Sequence, residues 1–203
     1  MSITINEHLT EALKKLGIAN LRLQQEAPME AILNNEDVIV LMPTSGGKSL
    51  LYQLPAVMEH GSLTLVISPL KALQLDQVES LHSKGIRAAV LNSDLSAAEH
   101  RDVLEDMTRR GGLLYLAPEQ LQNMAVADAL RTANLTRIAV DEAHTLPQAK
   151  DDFRKAYGKV GSFIHSLPHR PQVIALTATA TRNDVSRIRK SLGIPNAERF
   201  RTP

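Results

Sequence analysis

The stretch Met42-Pro43-Thr44-Ser45-Gly46-Gly47-Lys48-Ser49 has the residue types that binding a phosphate chain requires. It follows an apolar run at residues 37–41 and precedes residues 50–58, which can continue as a helix. A strand, a small flexible loop ending in Lys-Ser and then a helix form the arrangement of a phosphate-binding loop. The glycines would let backbone N–H groups approach phosphate oxygens, and the helix N-terminus adds partial positive charge.

Two side chains of this loop have predicted tasks in binding Mg-ATP. Lys48 would lie along the β- and γ-phosphates, and the Ser49 hydroxyl would ligate Mg²⁺. The residues predicted to hold ATP are Thr44, Ser45, Gly46, Gly47, Lys48 and Ser49. The first glycine of the general motif would fall at residue 42, which is methionine. A glycine-containing turn is therefore the alternative, and other parts of the chain must decide.

Composition narrows the class of protein. The 203 residues are 43% apolar and 22% charged, which is ordinary for a globular domain. The net charge of +1 gives no global signal for nucleic acid, so any such surface must be local. The absence of cysteine excludes disulfides and thiolate metal sites. Apart from His144 the histidines are scattered, and we expect no zinc in this chain.

The sequence also lacks the signals of membrane targeting. Its first residues have neither the basic nor the apolar region of a signal peptide. No apolar run approaches the ~20 residues that a transmembrane helix needs. We expect a cytoplasmic protein with no membrane partner.

Strands and helices alternate from residue 37 onward. Near-continuous apolar strands are predicted at residues 37–41, 63–67, 87–91, 113–116, 135–140 and 173–176, with helices between them and a last helix at 184–192. Such strands form a parallel sheet with helices on both faces. The predicted fold is α/β, with an open parallel sheet at residues 37–203. A short helical segment at residues 1–36, capped by Asn6, precedes it in one compact unit.

Asp141 and Glu142 end the strand predicted at residues 135–140. The carboxyl ends of parallel strands share one edge, where α/β sheets bind ligands, so this pair would lie beside the phosphate loop. Asp141 would hold Mg²⁺, and Glu142 would orient and deprotonate the attacking water. Alone, such a pair is usually a solvated turn; together with the phosphate loop it indicates catalysis. His144 follows directly and is assigned a relay role, with an ordinary core or surface histidine as the alternative.

These motifs resemble those of a known family. The chain is similar to the first motor domain of superfamily 2 helicases, most closely the RecQ-like DNA helicases, whose phosphate loop has methionine where Met42 stands here. Asp141-Glu142-Ala143-His144 resembles the ATPase box of that family. Leu21-Arg22-Leu23-Gln24-Gln25 resembles its adenine-recognition motif, so Arg22 and Gln25 would bind the base. The resemblance spans about residues 10–200 and implies a RecA-like P-loop NTPase domain.

Three further motifs match the family in order. They are Ser68-Pro69-Leu70-Lys71-Ala72-Leu73 with Asp76-Gln77-Val78, then Tyr115-Leu116-Ala117-Pro118-Glu119, and last Leu176-Thr177-Ala178-Thr179-Ala180. The first two resemble strand-contacting motifs and imply DNA contacts by Ser68, Pro69, Lys71, Pro118 and Glu119. The third resembles the motif that couples ATP to the motor, through Thr177 and Thr179. The implied function is a 3′-to-5′ DNA helicase that uses ATP and Mg²⁺ and acts on single-stranded or forked DNA.

Two segments depart from the family. Its DNA-sensing loop typically reads Gln-Trp-Gly-His-Asp-Phe-Arg, whereas residues 148–154 read Gln-Ala-Lys-Asp-Asp-Phe-Arg. Gln148, Phe153 and Arg154 keep the expected DNA contacts, but a lost aromatic costs ~1–3 kcal/mol per stacked base. We therefore predict weak coupling of DNA to ATP turnover. Ile18 stands where the family has an aromatic over the adenine, which predicts modest nucleotide affinity.

Two other functions share some of these features. A small-molecule kinase uses the same loop, but it needs an acceptor site and a mobile lid, for which the sequence offers no candidate. A degenerate module that binds nucleotide or DNA without turnover agrees with the altered loop and disagrees with an intact Glu142. The resemblance also implies a second RecA-like domain, absent from these 203 residues, whose arginines reach the γ-phosphate. We expect little hydrolysis or unwinding from this chain alone.

Overall fold

A computed structural model describes residues 7–148 and 158–201 of the chain. Its strands are β1 (Val38–Leu41), β2 (Leu63–Ile67), β3 (Ala88–Leu91), β4 (Gly112–Leu116), β5 (Leu135–Val140), β6 (Gln172–Thr177) and β7 (Glu198–Arg201). Within the described residues they form one sheet in the order β3-β4-β2-β5-β6-β1-β7, and every pairing is parallel. The predicted open parallel sheet is confirmed.

Helices cover both faces of this sheet. They are α1 (Glu7–Leu16), α2 (Leu23–Leu33), α3 (Leu50–Met58), α4 (Lys71–Ser83), α5 (Ala97–Arg110), α6 (Met124–Thr132), α7 (Val160–Ser166) and α8 (Arg182–Leu192). Buried side chains of α1 to α4 share one hydrophobic cluster with one face, and those of α5 to α8 share another with the opposite face. In β1, Val40 contributes to the first cluster and Ile39 to the second. The strands read as continuous apolar runs because both faces are buried.

The helical segment before the sheet is packed onto it. α1 and α2 contribute Leu9, Leu16, Met29 and Ile32 to the same cluster as α3. The Gln172 side chain at the start of β6 donates hydrogen bonds to the carbonyls of Ile32 and Glu36, at 2.8 and 2.7 Å. Side-chain packing and backbone hydrogen bonds therefore both attach the segment to the sheet.

The C-terminal part contains two elements that the sequence did not predict, α7 and β7. Charged residues occupy three of the four positions of β7, so it lacks the apolar pattern of the other strands. Pairing with β1 places Phe200 opposite Val40 and packs it against the first cluster. Charged side chains suit an edge strand, because they oppose pairing with further strands.

The helix predicted after the strand at 113–116 starts differently in the structure. Pro118 begins a short 3₁₀ helix, Pro118–Gln122, where an α-helix was predicted. α6 starts only at Met124, after the Asn123 side chain accepts a hydrogen bond from Ala125 N at 3.0 Å. That contact supplies an acceptor to the otherwise unpaired N–H groups of a first turn. Asn6, the predicted cap of α1, lies outside the described residues.

None of the helices between residues 7 and 148 or between 158 and 201 has the length and apolar character that crossing a membrane requires.

A polar network joins several elements at the amino-terminal edge of the sheet. Arg137 of β5 is 3% exposed, and its Nη2 donates to Glu59 Oε1 at 2.8 Å. Its Nε donates to Gln172 Oε1 at 2.7 Å. Glu59 ends α3, and Gln172 reaches the end of the helical segment. The buried guanidinium thus holds together one helix, two strands and residues 32–36.

We expect Glu59→Gln to lower the free energy of unfolding at neutral pH by about 1 kcal/mol, because Arg137 loses its counter-charge. The figure is small because the Glu59 side chain is 42% exposed and water screens its charge. Burial raises the pKa of the Glu59 carboxyl, but hydrogen bonding to Arg137 and the charge of Arg137 lower it overall. The stabilisation is therefore present above the ordinary glutamate pKa and is lost as the pH falls through the lowered value.

Urea unfolding of both proteins across this acidic range would measure the difference. Asp128→Asn is a matched control, because the Asp128 carboxylate pairs with Arg131 on the surface. Equal stability of wild type and Glu59→Gln at neutral pH would mean that Gln172 alone satisfies Arg137.

Candidate functional site

The phosphate loop lies at the carboxyl-terminal edge of the sheet, directly after β1. Met42 is fully buried beneath it, and a side chain added at Gly46 would collide with Met42 Cγ. Gly47 has φ +77°, and an added Cβ there would lie 2.6 Å from Gln25 Nε2. Both positions therefore require glycine, the first for space and the second for space and conformation. Met42 fills the volume that residue 46 leaves empty.

Two residues of the adenine-recognition motif hold the outer side of this loop. Arg22 Nη1 donates to the Ser45 carbonyl at 2.7 Å. Gln25, which is 2% exposed, donates through Nε2 to the carbonyls of Gly46 and Gly47, at 3.3 and 3.1 Å. Gln25 Oε1 accepts from Arg22 N at 2.9 Å and so closes the first turn of α2. The start of α2 and the loop form one hydrogen-bonded unit.

Lys48 crosses the inner side of the loop. Its side chain is buried, and Nζ donates to the Met42 carbonyl at 3.1 Å. The Lys48 charge also acts on Asp141, at the end of β5. The ammonium therefore contacts the backbone of the loop, and its charge acts on the ATPase box.

Asp141 is a buried carboxylate next to a second carboxylate. It is 8% exposed, its N–H donates to the Ile67 carbonyl, and its Oδ1 accepts from Glu142 N at 3.0 Å. Burial raises the pKa of the Asp141 carboxyl, and the Glu142 charge raises it further. Lys48 and His144 act in the opposite direction. Glu142 has φ +51°, a left-handed backbone that is unusual for a residue other than glycine and common at functional sites.

A hydrogen-bonded chain connects the ATPase box with the end of β6. His144 Nδ1 lies 2.9 Å from Thr177 Oγ1 and 3.2 Å from Glu142 Oε2. Thr177 Oγ1 donates its hydrogen to the Thr179 carbonyl at 2.9 Å, so it accepts from His144. A carboxylate also accepts only, so both contacts assign the hydrogen to Nδ1. The Thr177 carbonyl meanwhile accepts from Met42 N, which joins this chain to the phosphate loop.

The residues predicted to bind Mg²⁺ have suitable donors. The Asp141 carboxylate and the Ser49 hydroxyl are hard oxygen ligands. Across residues 7–148 and 158–201 no three His, Cys, Asp or Glu side chains could hold a metal ion together. Mg²⁺ is commonly bound through one or two carboxylates plus substrate phosphates, which needs no such group. A divalent cation beside Asp141 would also favour its ionised form, against the effect of burial.

The residues predicted to contact a DNA strand divide into exposed and buried ones. Lys71 and Glu119 are exposed, and Pro69 is partly so. Lys71 Nζ forms an ion pair with Asp94 at 2.9 Å, and such surface pairs exchange readily for a phosphate. Ser68 is 3% exposed and Pro118 is also buried, so their side chains do not form an open surface. Ser68 contributes its carbonyl, which accepts from Gln74 Nε2 at 2.6 Å.

Four predicted site residues have side chains that are not described. Phe153 and Arg154 lie outside the described residues. Gln148 ends the 3₁₀ helix Ala143–Gln148, and only its backbone is described. The same holds for Thr44 in the phosphate loop, whose place in the 3₁₀ turn Thr44–Gly46 is the only feature given.

A polar cavity that the sequence did not predict lies next to the phosphate loop. A space of about 260 Å³ opens between α2, α3 and α4, and its polar lining includes Arg22, Gln25, Ser49, Gln53 and Gln77. Ile18 forms part of the wall, in agreement with its predicted place near the base. Gln53 had a sequence signal, because it is a polar residue inside the apolar stretch Leu50–Met58.

We expect Asp141→Asn to raise the unfolding temperature at neutral pH. The raised pKa means that ionised Asp141 costs stability in the folded state. This cost is absent below the ordinary aspartate pKa and grows as the pH rises to the raised value. Asparagine keeps the acceptor for Glu142 N and removes the charge. Each kcal/mol gained corresponds to about 2–4 °C in a domain of this size.

Thermal unfolding of both proteins without nucleotide or Mg²⁺, at neutral and acidic pH, would measure this. Asp102→Asn is the control, because Asp102 is exposed on α5. A lower unfolding temperature for Asp141→Asn at neutral pH would contradict the assignment of a charge cost.

Comparison with known proteins gives consistent results. The DEAD/DEAH box helicase family matches residues 22–188. The probable ATP-dependent DNA helicase RecS of Bacillus subtilis (strain 168) is 41% identical over 184 residues, which cover 90% of this chain and 36% of that protein. The ATP-dependent DNA helicase RecQ of Synechocystis sp. is 40% identical over 201 residues, covering 96% of this chain and 42% of that protein. The chain thus spans less than half the length of these relatives.

Solved helicase structures have the same fold. The DUF1998 helicase MrfA bound to DNA matches with a TM-score of 0.77 and 21% identity, over 100% of this chain and 30% of that one. The Mycobacterium smegmatis helicase Lhr bound to ssDNA and AMP-PNP matches with a TM-score of 0.74 and 20% identity, over 98% and 28%. Together with the sequence matches, the adjacent phosphate loop and ATPase box lead to one conclusion: the chain belongs to the DEAD/DEAH box helicase family and is a RecQ-like first motor domain with a RecA-like fold.

Proposed function

We propose that this domain binds Mg-ATP and single-stranded or forked DNA, and that it is half of a motor that hydrolyses ATP while moving 3′-to-5′ along DNA. One observation carries the proposal. Lys48 follows β1, and Asp141, Glu142 and His144 follow β5, at the same carboxyl-terminal edge of the sheet, where the charge of the buried Lys48 ammonium acts on the buried Asp141 carboxylate. That combination suits a triphosphate with its metal better than it suits a structural ion pair, because the raised carboxylate pKa costs stability.

Each side chain has a task in this reaction. Lys48 binds the β- and γ-phosphates, and it exchanges its contact with the Met42 carbonyl for phosphate oxygens. Asp141 and Ser49 would hold Mg²⁺, whose charge stabilises the transferring phosphoryl group. Glu142 orients the attacking water and accepts its proton. His144 fixes the Glu142 carboxylate through Nδ1 and connects it with Thr177.

Arg22 and Gln25 are the proposed contacts to adenine. Both side chains line the cavity of about 260 Å³ beside the loop, and both also bond loop carbonyls. A base in the cavity would therefore act on the conformation of the phosphate loop, because it would either replace these hydrogen bonds or strengthen them. The aliphatic Ile18 supplies packing without ring stacking, which agrees with a modest affinity.

DNA is the proposed second ligand. Pro69, Lys71 and Glu119 lie near strand ends at the edge that carries the ATP site. Relatives that span this chain are named ATP-dependent DNA helicases, and MrfA and Lhr are described as bound to DNA. We further propose that a second RecA-like domain completes the active site, because the chain covers only 36% and 42% of the two relatives compared above.

Titration of a fluorescent, non-hydrolysable ATP analogue with Mg²⁺ tests the nucleotide site. We expect Lys48→Ala to weaken binding about 10–100-fold, because a charge-assisted contact to phosphate is lost. Glu142→Gln should bind as wild type does, since it keeps its place and loses only its charge. In the native protein that carries this domain, the same change should lower hydrolysis about 10²–10⁴-fold.

Lys190→Ala is the matched control, because Lys190 lies in the last turn of α8 and is exposed. Equal binding by wild type and Lys48→Ala would refute the phosphate site. Hydrolysis by Glu142→Gln at the wild-type rate would refute the role of Glu142 and leave the binding site intact.

A further inference from the structure

Gln53 is a buried amide in the helix that follows the phosphate loop. It is 8% exposed and lies one turn after Leu50, where α3 begins. Its neighbours along the helix are apolar and belong to the first hydrophobic cluster. A buried amide in such a place must be hydrogen-bonded, because leaving it unpaired costs about 1–3 kcal/mol. Its two hydrogen-bond partners lie on α4 and β4.

The first partner is Gln77 on α4. Gln53 Nε2 donates to Gln77 Oε1 at 2.7 Å, across 24 positions of sequence. α4 starts at Lys71, after Ser68 and Pro69 of the first predicted DNA-contacting stretch. Gln74, one turn earlier on the same helix, is fully buried and donates to the Ser68 carbonyl at 2.6 Å. α4 is therefore fixed both to the phosphate-loop helix and to the backbone of the predicted DNA-contacting segment.

The second partner is Tyr115 on β4. Gln53 Nε2 lies 3.3 Å from the Tyr115 hydroxyl. Pro118 and Glu119, the second predicted DNA-contacting pair, follow three and four residues after Tyr115. The rings of Tyr115 and Tyr52 pack edge to face with centroids 6.2 Å apart. Gln53 is thus bonded to the helix that follows Ser68 and Pro69 and to the strand that precedes Pro118 and Glu119.

The same cluster is in electrostatic contact with the metal-binding carboxylate. Burial and, to a smaller extent, the Asp141 charge raise the pKa of Tyr115 to about 12, while hydrogen bonding to Gln53 and Tyr52 acts in the opposite direction. Burial also raises the pKa of Tyr52, again with a contribution from Asp141. The Tyr115 hydroxyl accepts the hydrogen bond from Gln53 Nε2.

We propose that Gln53 is a positioning residue that couples the nucleotide site to the DNA-contacting segments, through its paired hydrogen bonds to Gln77 and Tyr115. The proposal deepens the function proposed above and rests on it. A shift of α3 on nucleotide binding moves Gln53, and its two short contacts transmit that shift to α4 and β4. Thermodynamic linkage requires the reverse effect of DNA on nucleotide affinity to have the same size.

A purely structural role would give a different pattern. If Gln53 only fills the core, its loss lowers stability and leaves the coupling between the two ligands as it is in wild type. If it couples the sites, its loss removes the dependence of one affinity on the other ligand. The ratio of nucleotide dissociation constants without and with saturating DNA distinguishes these cases.

Gln53→Met is the main variant, because methionine is unbranched, favours helices and lacks the amide donor. The probes are a fluorescent non-hydrolysable ATP analogue with Mg²⁺ and an oligothymidylate. We expect the wild-type ratio to differ from one by about fivefold or more, within the usual range of coupling between sites. In Gln53→Met the ratio should fall to about one, with the affinity for oligothymidylate alone within about twofold of wild type. Because Gln53 also lines the cavity proposed for the base, a change in nucleotide affinity that is equal with and without DNA cancels in the ratio.

Two further variants make the test specific. Gln77→Glu keeps an acceptor for Gln53 Nε2 and should keep the coupling, whereas Gln77→Met should lose most of it. Gln172→Met is the matched control, because Gln172 is an equally buried, hydrogen-bonded glutamine at the opposite edge of the sheet. It should lower stability and leave the ratio at its wild-type value.

The outcomes separate the two proposals. A wild-type ratio of one, or a wild-type ratio retained in Gln53→Met, overturns the role of Gln53 while both ligands still bind. Failure of the wild-type chain to bind the nucleotide analogue or the oligothymidylate, seen in the separate titrations, contradicts the proposed function and this inference with it.

Discussion

An ionised carboxylate placed out of water is the constraint on which this domain depends. Asp141 lies at the end of β5 with 8% of its surface exposed and with Glu142 beside it. Desolvating a charge costs several kcal/mol unless cations and donors oppose the cost. Lys48 approaches from the phosphate loop and His144 from the ATPase box, and the Glu142 N–H donates to the carboxylate. The groups that make an ionised Asp141 tolerable are groups that the proposed nucleotide chemistry needs.

That arrangement in turn depends on how the loop is supported. Lys48 can cross the loop because Gly46 leaves room for Met42 below it and because Gly47 adopts a left-handed backbone. From outside, Arg22 and Gln25 bond three successive loop carbonyls. The helical segment before the sheet therefore belongs to the site as much as to the core. Its hydrogen bonds link the residues proposed to contact adenine to the backbone of the phosphate loop.

Much of this could be predicted from the sequence, for reasons that lie in local chemistry. Buried parallel strands give apolar runs, and their polar ends mark one edge, so β1, β5 and β6 and the polar residues at their ends were predicted directly. β7 could not be found, because its stability comes from pairing with β1 and three of its four residues are charged. Gln53 was missed because periodicity cannot tell which buried amide meets which partner. Ser68 was assigned a contact surface, whereas its side chain is buried and its carbonyl is engaged by Gln74.

The residues at the two ends of β5 have different roles. Arg137, near its start, anchors the amino-terminal edge through Glu59 and Gln172, and Asp141 follows its last residue. Asp141 lies four positions after Arg137, which is about 13 Å along the strand. Substitutions further apart than ~7–10 Å and without shared partners have additive effects. Substitutions around Arg137 can therefore change the stability of the domain with little effect on the proposed nucleotide site at the other end of the same strand.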